Sequence, residues 1–435
     1  MSDTAVDGRT RRGATPQMRR TIAGACAGTI IEWFDYGSYA YVAGTIAVVF
    51  FAGGDPALAV IQSWGLFALS FLIRPLGGLF WGYVGDRIGR ARTLSITIIG
   101  TGLTTTVIGL LPVYSVVGFW APILLLVARL CQGFCASGEY AGAAVLVGEH
   151  APPGRRARYV SFIAIGNSAG FMLASISVTV LQAVLDTAAM QSWGWRVPFL
   201  LSAPLTLVGW YIRRKIDETP AFAEVRNGTV QSAPPLLAGF SAHWKTFLRL
   251  LFVMGINAGA YYLVLAYMAS YLQEEVQLSA FQSNLIVTIA LLVYLPTLYC
   301  LARLSDRIGR KPVLIANTLL FLVFSFPSFL VLDHGGFAVA LTVQILMTSM
   351  FAFSDSTFAT FFVESFPVNV RFTGFASLFN FGVAIFAGTT PLLSSWLIGR
   401  TGIAASPAFI VMVLAAACLI ALLLSPETAP GKRVR

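Results

Sequence analysis

The sequence predicts an all-α polytopic membrane protein, with twelve transmembrane helices arranged as two six-helix repeats. Three observations carry that prediction. Of 435 residues, 57% are hydrophobic and only 11% are charged, where an ordinary soluble domain carries about 25% charged residues. Apolar stretches of spanning length recur along the whole chain, and a basic loop motif occurs twice.

Composition excludes the common alternatives. A soluble globule of this length would still expose a large surface that must be polar, whereas a bilayer is itself an apolar solvent. The net charge of +10 is no nucleic-acid signature, because nearly all Lys and Arg sit in short segments between apolar stretches. Cys26, Cys131, Cys135, Cys300 and Cys418 all fall inside apolar segments, where free cysteines pack as small hydrophobes. With three histidines, no metal site is expected. The chain has no GxxxxGK[ST] phosphate cradle, so neither ATP nor another cofactor is expected. No nucleophile–base constellation suggests an enzyme. The Arg-rich residues 1–20 lack the apolar core and cleavage site of a signal peptide.

A spanning helix needs roughly twenty apolar residues. On that scale a tail covers 1–21, and spans fall near 22–51, 58–84, 93–112, 119–149, 157–185 and 194–213, a first bundle over 22–213. A polar, Pro-containing linker follows at 214–245. Spans near 246–273, 281–303, 312–332, 337–365, 371–397 and 405–425 make a second bundle over 246–425, ahead of a tail at 426–435.

The loop charges orient this topology. One side receives Arg9, Arg11, Arg12, Arg19, Arg20, Arg87, Arg90, Arg92, Arg155, Arg156, Arg158, Arg213, Arg214, Lys215, Arg307, Arg310 and Lys311. The tail adds Lys432, Arg433 and Arg435. The other side receives essentially only Arg400, with Asp55, Asp186, Glu274, Glu275 and Asp333. Basic loops stay cytoplasmic, so both termini and the linker are expected inside.

GDRIGRART at 85–93 recurs as SDRIGRKPV at 305–313, each between the second and third span of its half. A second echo sets Glu149 with Arg155 against Glu364 with Arg371. Two parallel halves with a site at the midplane between them is an architecture of secondary transporters.

The motif GDRIGR in both halves resembles the signature of the major facilitator superfamily. More narrowly, IIEWFDYGSYAY at 30–41, FLIRPLGGLFWGYVGDRIGR at 71–90, RLCQGFCASGEYAGA at 129–143, SWGWRVPF at 192–199 and SPET at 425–428 resemble the metabolite:proton symporter branch. That branch includes proline/betaine, α-ketoglutarate, citrate and shikimate symporters. The likeness runs from about Thr21 to Thr428. It implies alternating access, proton coupling and a monomer in a bacterial inner membrane; composition alone implies none of these.

Ionisable groups inside a span cost about 2.5–3.5 kcal/mol on insertion scales and are functional candidates by default. Here they are Glu32, Asp35, Arg74, Arg129, Glu139 and Asp355, with Arg196 near an outer end. Glu32, Asp35, Tyr36 and Tyr39 share one helix face. Two carboxylates one turn apart titrate as a coupled pair, which suits a proton carrier, with Asp35 favoured over Glu32. The alternative is that one acid pairs permanently with an arginine. In the fourth span Arg129, Gln132, Ala136 and Glu139 fall within about 80° of one another at 100° per residue. That stripe can present a guanidinium fork to a substrate carboxylate, or pair Arg129 with Asp35 or Glu32. Glu139 and Asp355 stand at matching places in the two repeats and are further proton sites.

The seventh span repeats the first: Asn257, Tyr261 and Tyr262 correspond to Glu32 and Tyr36. The tyrosines can stack on a quaternary ammonium or simply line a helix interface. Asn380 in the eleventh span is one more polar group for the cavity. Arg74, before Pro75 and Gly77–Gly78, reads as a structural pairing where helices cross closely. By resemblance Asp86, Arg87 and Arg90, with Asp306, Arg307 and Arg310, are gating residues, and Glu149 and Glu364 are their partners. A solvated charge run is the alternative.

The residues lean narrowly toward a small organic carboxylate, mono-, di- or tricarboxylate, held by Arg129. The runner-up is a zwitterion of the proline/betaine kind, favoured by Asn257, Tyr261 and Tyr262. A transporter-like sensor is the competitor from another class, since fold does not fix function.

Overall fold

The computed structural model describes residues 16–51, 56–88, 90–152, 154–213, 236–332, 335–366 and 371–430. In the first half, span 1 is Pro16–Tyr41 continued by Ala43–Phe50, and span 2 is Pro56–Leu72 continued by Arg74–Ile88. Span 3 is Arg90–Leu110. Span 4 joins Trp120–Cys135 to Glu139–His150 through a tight turn at Ala136–Gly138. Span 5 is Arg156–Val184 and span 6 is Arg196–Arg213.

The second half repeats the order. Span 7 runs through Leu236–Tyr261, a widened turn at Tyr262–Tyr267 and Met268–Glu274. Span 8 is Ala280–Ile308 and span 9 is Arg310–Leu332. Span 10 joins Phe337–Asp355 to Phe358–Ser365. Span 11 is Arg371–Gly382, a widened turn at Val383–Ala387 and Thr389–Thr401, and span 12 is Pro407–Leu423.

Among the described residues, eight helices are long and apolar enough by themselves to cross a bilayer. Span 1, which carries Glu32 and Asp35, is not one of them. It lies inside the bundle, buried without interruption from Ile31 to Ala43. Span 7 is likewise central, with 89% of its most apolar stretch buried. The helix of span 7 begins at Leu236, ten residues ahead of the apolar stretch read from the sequence, because hydropathy marks the membrane core while helical hydrogen bonding continues beyond it.

The packing inverts that of a soluble protein. Leu110, Leu207, Val413 and Ile420 are exposed on the outer surface, and Thr105, Arg129, Gln132 and Ser202 are sealed within. Small residues set the closest crossings. A Cβ on Gly77 would lie 2.5 Å from both the Phe134 carbonyl and Ser137 Oγ. Caps hold the ends: Ser279 and Gln282 form a capping box at the start of span 8. The Arg196 guanidinium donates to the Gly109 and Leu111 carbonyls at 2.8 and 2.7 Å, where a cation suits the carbonyl end of span 3.

The halves meet along spans 5 and 8 and along spans 2 and 11. Contacts close the interface on both sides of the midplane. Toward the side carrying the Arg155–Arg158 and Arg307–Lys311 loops, here the basic side, Asn380 Nδ2 donates to the Ser137 carbonyl at 2.7 Å. There Tyr140 also stacks on Phe379 with centroids 4.5 Å apart. Toward the opposite side, Tyr41 Oη donates to the Leu265 carbonyl at 2.9 Å and Trp64 meets Tyr267 edge-on at 5.5 Å. Asn284 Nδ2 donates to Gln182 Oε1 at 2.9 Å.

Candidate functional site

Span 1 sends its two carboxylates in different directions. Asp35 accepts from Thr105 Oγ1 at 2.9 Å and from Ser202 Oγ, so spans 3 and 6 enclose it. Thr105 accepts in turn from Gln132 Nε2 at 2.6 Å, and Gln132 Oε1 accepts from Arg129 Nη1 at 2.5 Å. Arg129 therefore reaches Asp35 through two neutral side chains, and the direct Arg129–acid pair weighed above is not formed. Its Nη2 donates to Ser70 Oγ at 3.2 Å, and its Cζ lies 4.3 Å from the Tyr39 ring centre, 5.0 Å from Phe67 and 5.3 Å from Tyr36. Tyr39 Oη is occupied by the Ser63 carbonyl at 2.9 Å.

Glu32 takes the other arginine. Arg74 Nη2 donates to Glu32 Oε1 at 3.0 Å and to the Ala136 carbonyl at 3.1 Å; both side chains are buried. The coupled Glu32–Asp35 pair expected from spacing is thus divided between two arginine environments. Arg74 Nε and Nη1 and Arg129 Nε are buried without an acceptor. Buried donors without partners are rare in native structures.

An aromatic box adjoins Arg74 at the junction of the halves. Trp33 lies 5.2 Å from Tyr261, 6.1 Å from Tyr262 and 5.7 Å from Phe171. Phe71 lies 5.1 Å from both Tyr36 and Tyr262. Arg74 Cζ stands 5.5 Å from the Tyr36 centre. Among the described residues, Trp33 Nε1 and the hydroxyls of Tyr36 and Tyr262 are buried without a hydrogen-bond partner. The rings come from spans 1, 2, 5 and 7, so the cluster joins both halves.

In the second half Asp355 accepts from Tyr294 Oη at 2.7 Å, and Asn257 Nδ2 donates to Ser354 Oγ at 3.2 Å. Asp355 ends the first segment of span 10, and Glu139 begins the second segment of span 4. Both acids are buried and flank the helix breaks at corresponding depths of the two repeats. Asn380 binds across the halves to Ser137, so its amide is engaged in closing the basic side.

The basic side carries the gating candidates. Asp306 accepts from the backbone N–H groups of Ala157 and Arg158 at 3.1 and 3.0 Å and from Arg310 Nη1 at 2.9 Å. Arg310 also reaches Glu364 at 3.2 Å, Arg156 lies 3.8 Å from Glu364, and Arg371 lies 3.2 Å from Glu149. Arg307 is exposed. Glu427 accepts from the N–H groups of Arg310 and Lys311, each at 3.0 Å, and Thr428 Oγ1 donates to Glu364 at 2.9 Å. The side chains of Asp86, Arg87 and Arg90 lie outside the described residues.

Sequence reasoning did not single out Thr105, Ser202, Ser70, Trp33, Phe171, Tyr294 or Arg156; it read Arg74 as a structural pairing, and Arg74 is paired with Glu32. A signal existed for Thr105: Thr97, Thr101 and Thr105 stand at four-residue spacing on one buried face, a hydroxyl stripe in an apolar span.

Comparisons with known proteins agree with this architecture. The family model described as Sugar (and other) transporter matches residues 21–239, and that of the Major Facilitator Superfamily matches 250–435. The glycine betaine/proline/ectoine/pipecolic acid transporter OusA of Dickeya dadantii (strain 3937) is 35% identical over 422 residues, covering 95% of this chain and 84% of that protein. The proline/betaine transporter of Escherichia coli (strain K12) is 34% identical over 423 residues, with the same two coverages. Among solved structures, the proton:xylose symporter XylE bound to 6-bromo-6-deoxy-D-glucose aligns with a TM-score of 0.76 at 18% identity, over 96% of this chain and 97% of that one. That likeness concerns the fold alone. The chain is a multi-pass membrane transporter, not an enzyme, and it belongs to the major facilitator superfamily, in the symporter branch that holds its proline/betaine relatives.

Proposed function

We propose that this protein imports a small zwitterion of the betaine or proline kind by proton-driven alternating access, with both termini cytoplasmic in a bacterial inner membrane. This reverses the order read from the residues, which put an organic carboxylate first. The observation that carries the reading is the aromatic box with Arg74 at its edge. A quaternary or secondary ammonium gains about 0.5–2 kcal/mol against aromatic faces, while its carboxylate takes a guanidinium. A di- or tricarboxylate would bring several negative charges to a site whose two arginines already balance Glu32 and Asp35. The relatives named for betaine and proline support the same choice.

Asp35, Glu32, Glu139 and Asp355 supply buried carboxylates for proton movement, and the contacts on both sides of the box supply the two gates. The test is uptake into proteoliposomes with an inward proton gradient. Accumulation of glycine betaine or proline, abolished by a protonophore, is expected. Accumulation of α-ketoglutarate or citrate instead would overturn the zwitterion reading.

A further inference from the structure

We infer that Asp355 is the anionic subsite for the ammonium of the transported zwitterion, so that the substrate lays its carboxylate on the first half and its ammonium on the second. The inference rests on the zwitterion reading above and assigns the counter-charge of its cationic end.

The two halves treat their buried acids differently. In the first half Glu32 is paired with Arg74, and Arg129 stands within the field of Asp35. In the second half Asp355 is buried at the break of span 10. Tyr294 Oη of span 8 donates to it at 2.7 Å, and Asn257 of span 7 is its other polar neighbour. Both are neutral. Among the described residues no arginine or lysine acts on it, because the cations of the second half stand toward span ends. An ionised carboxylate buried without a counter-charge is costly. A proton or a cation removes that cost, and the substrate brings a cation.

The surroundings suit an ammonium. Tyr294 stacks on Phe351 with centroids 6.0 Å apart, and Phe351 meets Tyr261 edge-on at 5.7 Å. Tyr261 in turn lies 5.2 Å from Trp33, so the acid stands at the second-half end of the aromatic box. Aromatic faces with a carboxylate beside them attract a cation on both counts. Tyr140 of span 4 is also within the field of Asp355, and its hydroxyl is buried without a hydrogen-bond partner among the described residues. Arg74 donates to the Ala136 carbonyl, one turn before Tyr140 on the same span. A cation of the first half and an acid of the second thus flank one turn of span 4, a polarity that a zwitterion complements.

The kind of ammonium then matters. A secondary ammonium such as that of proline has N–H groups for Asp355 to accept. A quaternary one has none, and is held by charge and ring faces alone. Asp355 is therefore the group that sets proline against betaine.

The experiment measures exchange of labelled proline and glycine betaine in proteoliposomes holding the full chain, without a proton gradient, so that affinity is read apart from coupling. D355N should weaken proline by about thirtyfold or more, as when one partner is lost from a buried hydrogen-bonded charge pair, and should weaken glycine betaine less. D355E should recover part of the loss. Unchanged exchange affinity in D355N, with only gradient-driven accumulation lost, would make Asp355 a proton site alone and overturn the inference. Loss of proline affinity in E139Q and none in D355N would overturn it as well. Should D355N fail to fold, the unmodified protein decides. Tetramethylammonium and acetate, the two ends of glycine betaine taken apart, should inhibit exchange together without excluding each other, since they occupy different halves. Mutually exclusive inhibition, or none by tetramethylammonium, would sink the proposal. If the unmodified protein exchanges neither proline nor glycine betaine, the zwitterion reading itself falls; if it exchanges both and D355N is unaffected, only the Asp355 assignment falls.

Discussion

Arg371 of the second half binds Glu149 of the first at 3.2 Å, and its counterpart places Arg156 of the first half 3.8 Å from Glu364 of the second. Each half lends an arginine to the acid of the other, so the internal repeat becomes a reciprocal clasp across the basic side.

The two acids of that clasp should differ in effect because they differ in burial. The Glu149 side chain is 39% exposed and that of Glu364 only 2%. E149Q removes a solvent-screened pair worth about 0–1 kcal/mol. E364Q strips a buried partner from Arg310 and should cost about 3 kcal/mol. Thermal melting in detergent should therefore show a clear drop for E364Q and almost none for E149Q.

Asp306 holds the first turn of span 5 by accepting two of its backbone N–H groups. D306A should raise hydrogen–deuterium exchange in a peptide spanning 156–162, with a loss of about 1–2 kcal/mol typical of a removed cap. Exchange in span 12 should stay as it was.

Thr105 and Ser202 are the donors that enclose Asp35. T105V and S202A each leave a buried acceptor short of a bond, at about 1–3 kcal/mol. Both should lower the melting temperature, and T105V should also cut the Arg129–Gln132–Asp35 relay and slow uptake more than S202A.

The ring of Tyr262, rather than its hydroxyl, should matter for an ammonium. Y262F should hold betaine nearly as well as the native protein, and Y262L should lose about 1–2 kcal/mol, roughly tenfold or more in apparent affinity. Equal losses in the two variants, measured by competitive uptake, would count against the aromatic box.

Gly388 lets span 11 lie directly on span 2, where an added Cβ would overlap the Ala68 backbone. G388L should wedge the halves apart on the side opposite the basic loops. Uptake should cease while the purified protein remains monodisperse, and a cysteine placed near Gly65 should become reactive to an impermeant thiol reagent.

Much of this fold is legible in the chain because a bilayer demands long apolar runs, and basic loops break them at regular intervals. Helix breaks are less legible: Ala136–Gly138 and Ser356–Thr357 interrupt spans 4 and 10 without a proline, so hydropathy runs straight through them. The candidate site divides in the same way. Glu32, Asp35 and Arg129 stand out because charge in a span is costly, yet nothing in their spacing tells that Glu32 faces Arg74 while Asp35 faces Thr105 and Ser202. Partner choice depends on how spans rotate against one another. Trp33 and Phe171 went unnoticed for the opposite reason, since aromatics are too common in apolar helices to mark a site.

Glu427 supplies the acceptor for the first N–H groups of span 9, and it lies 117 residues beyond Arg310. At about 5–20 residues per second of synthesis, the start of span 9 is made roughly 6–23 s before that carboxylate exists. During that interval the nascent second half lacks the contact that joins its repeated loop to Glu364 through Thr428. Completion of the bundle is therefore a late event in biogenesis, and a chain released early would reach the membrane's quality-control proteases with that seam still open.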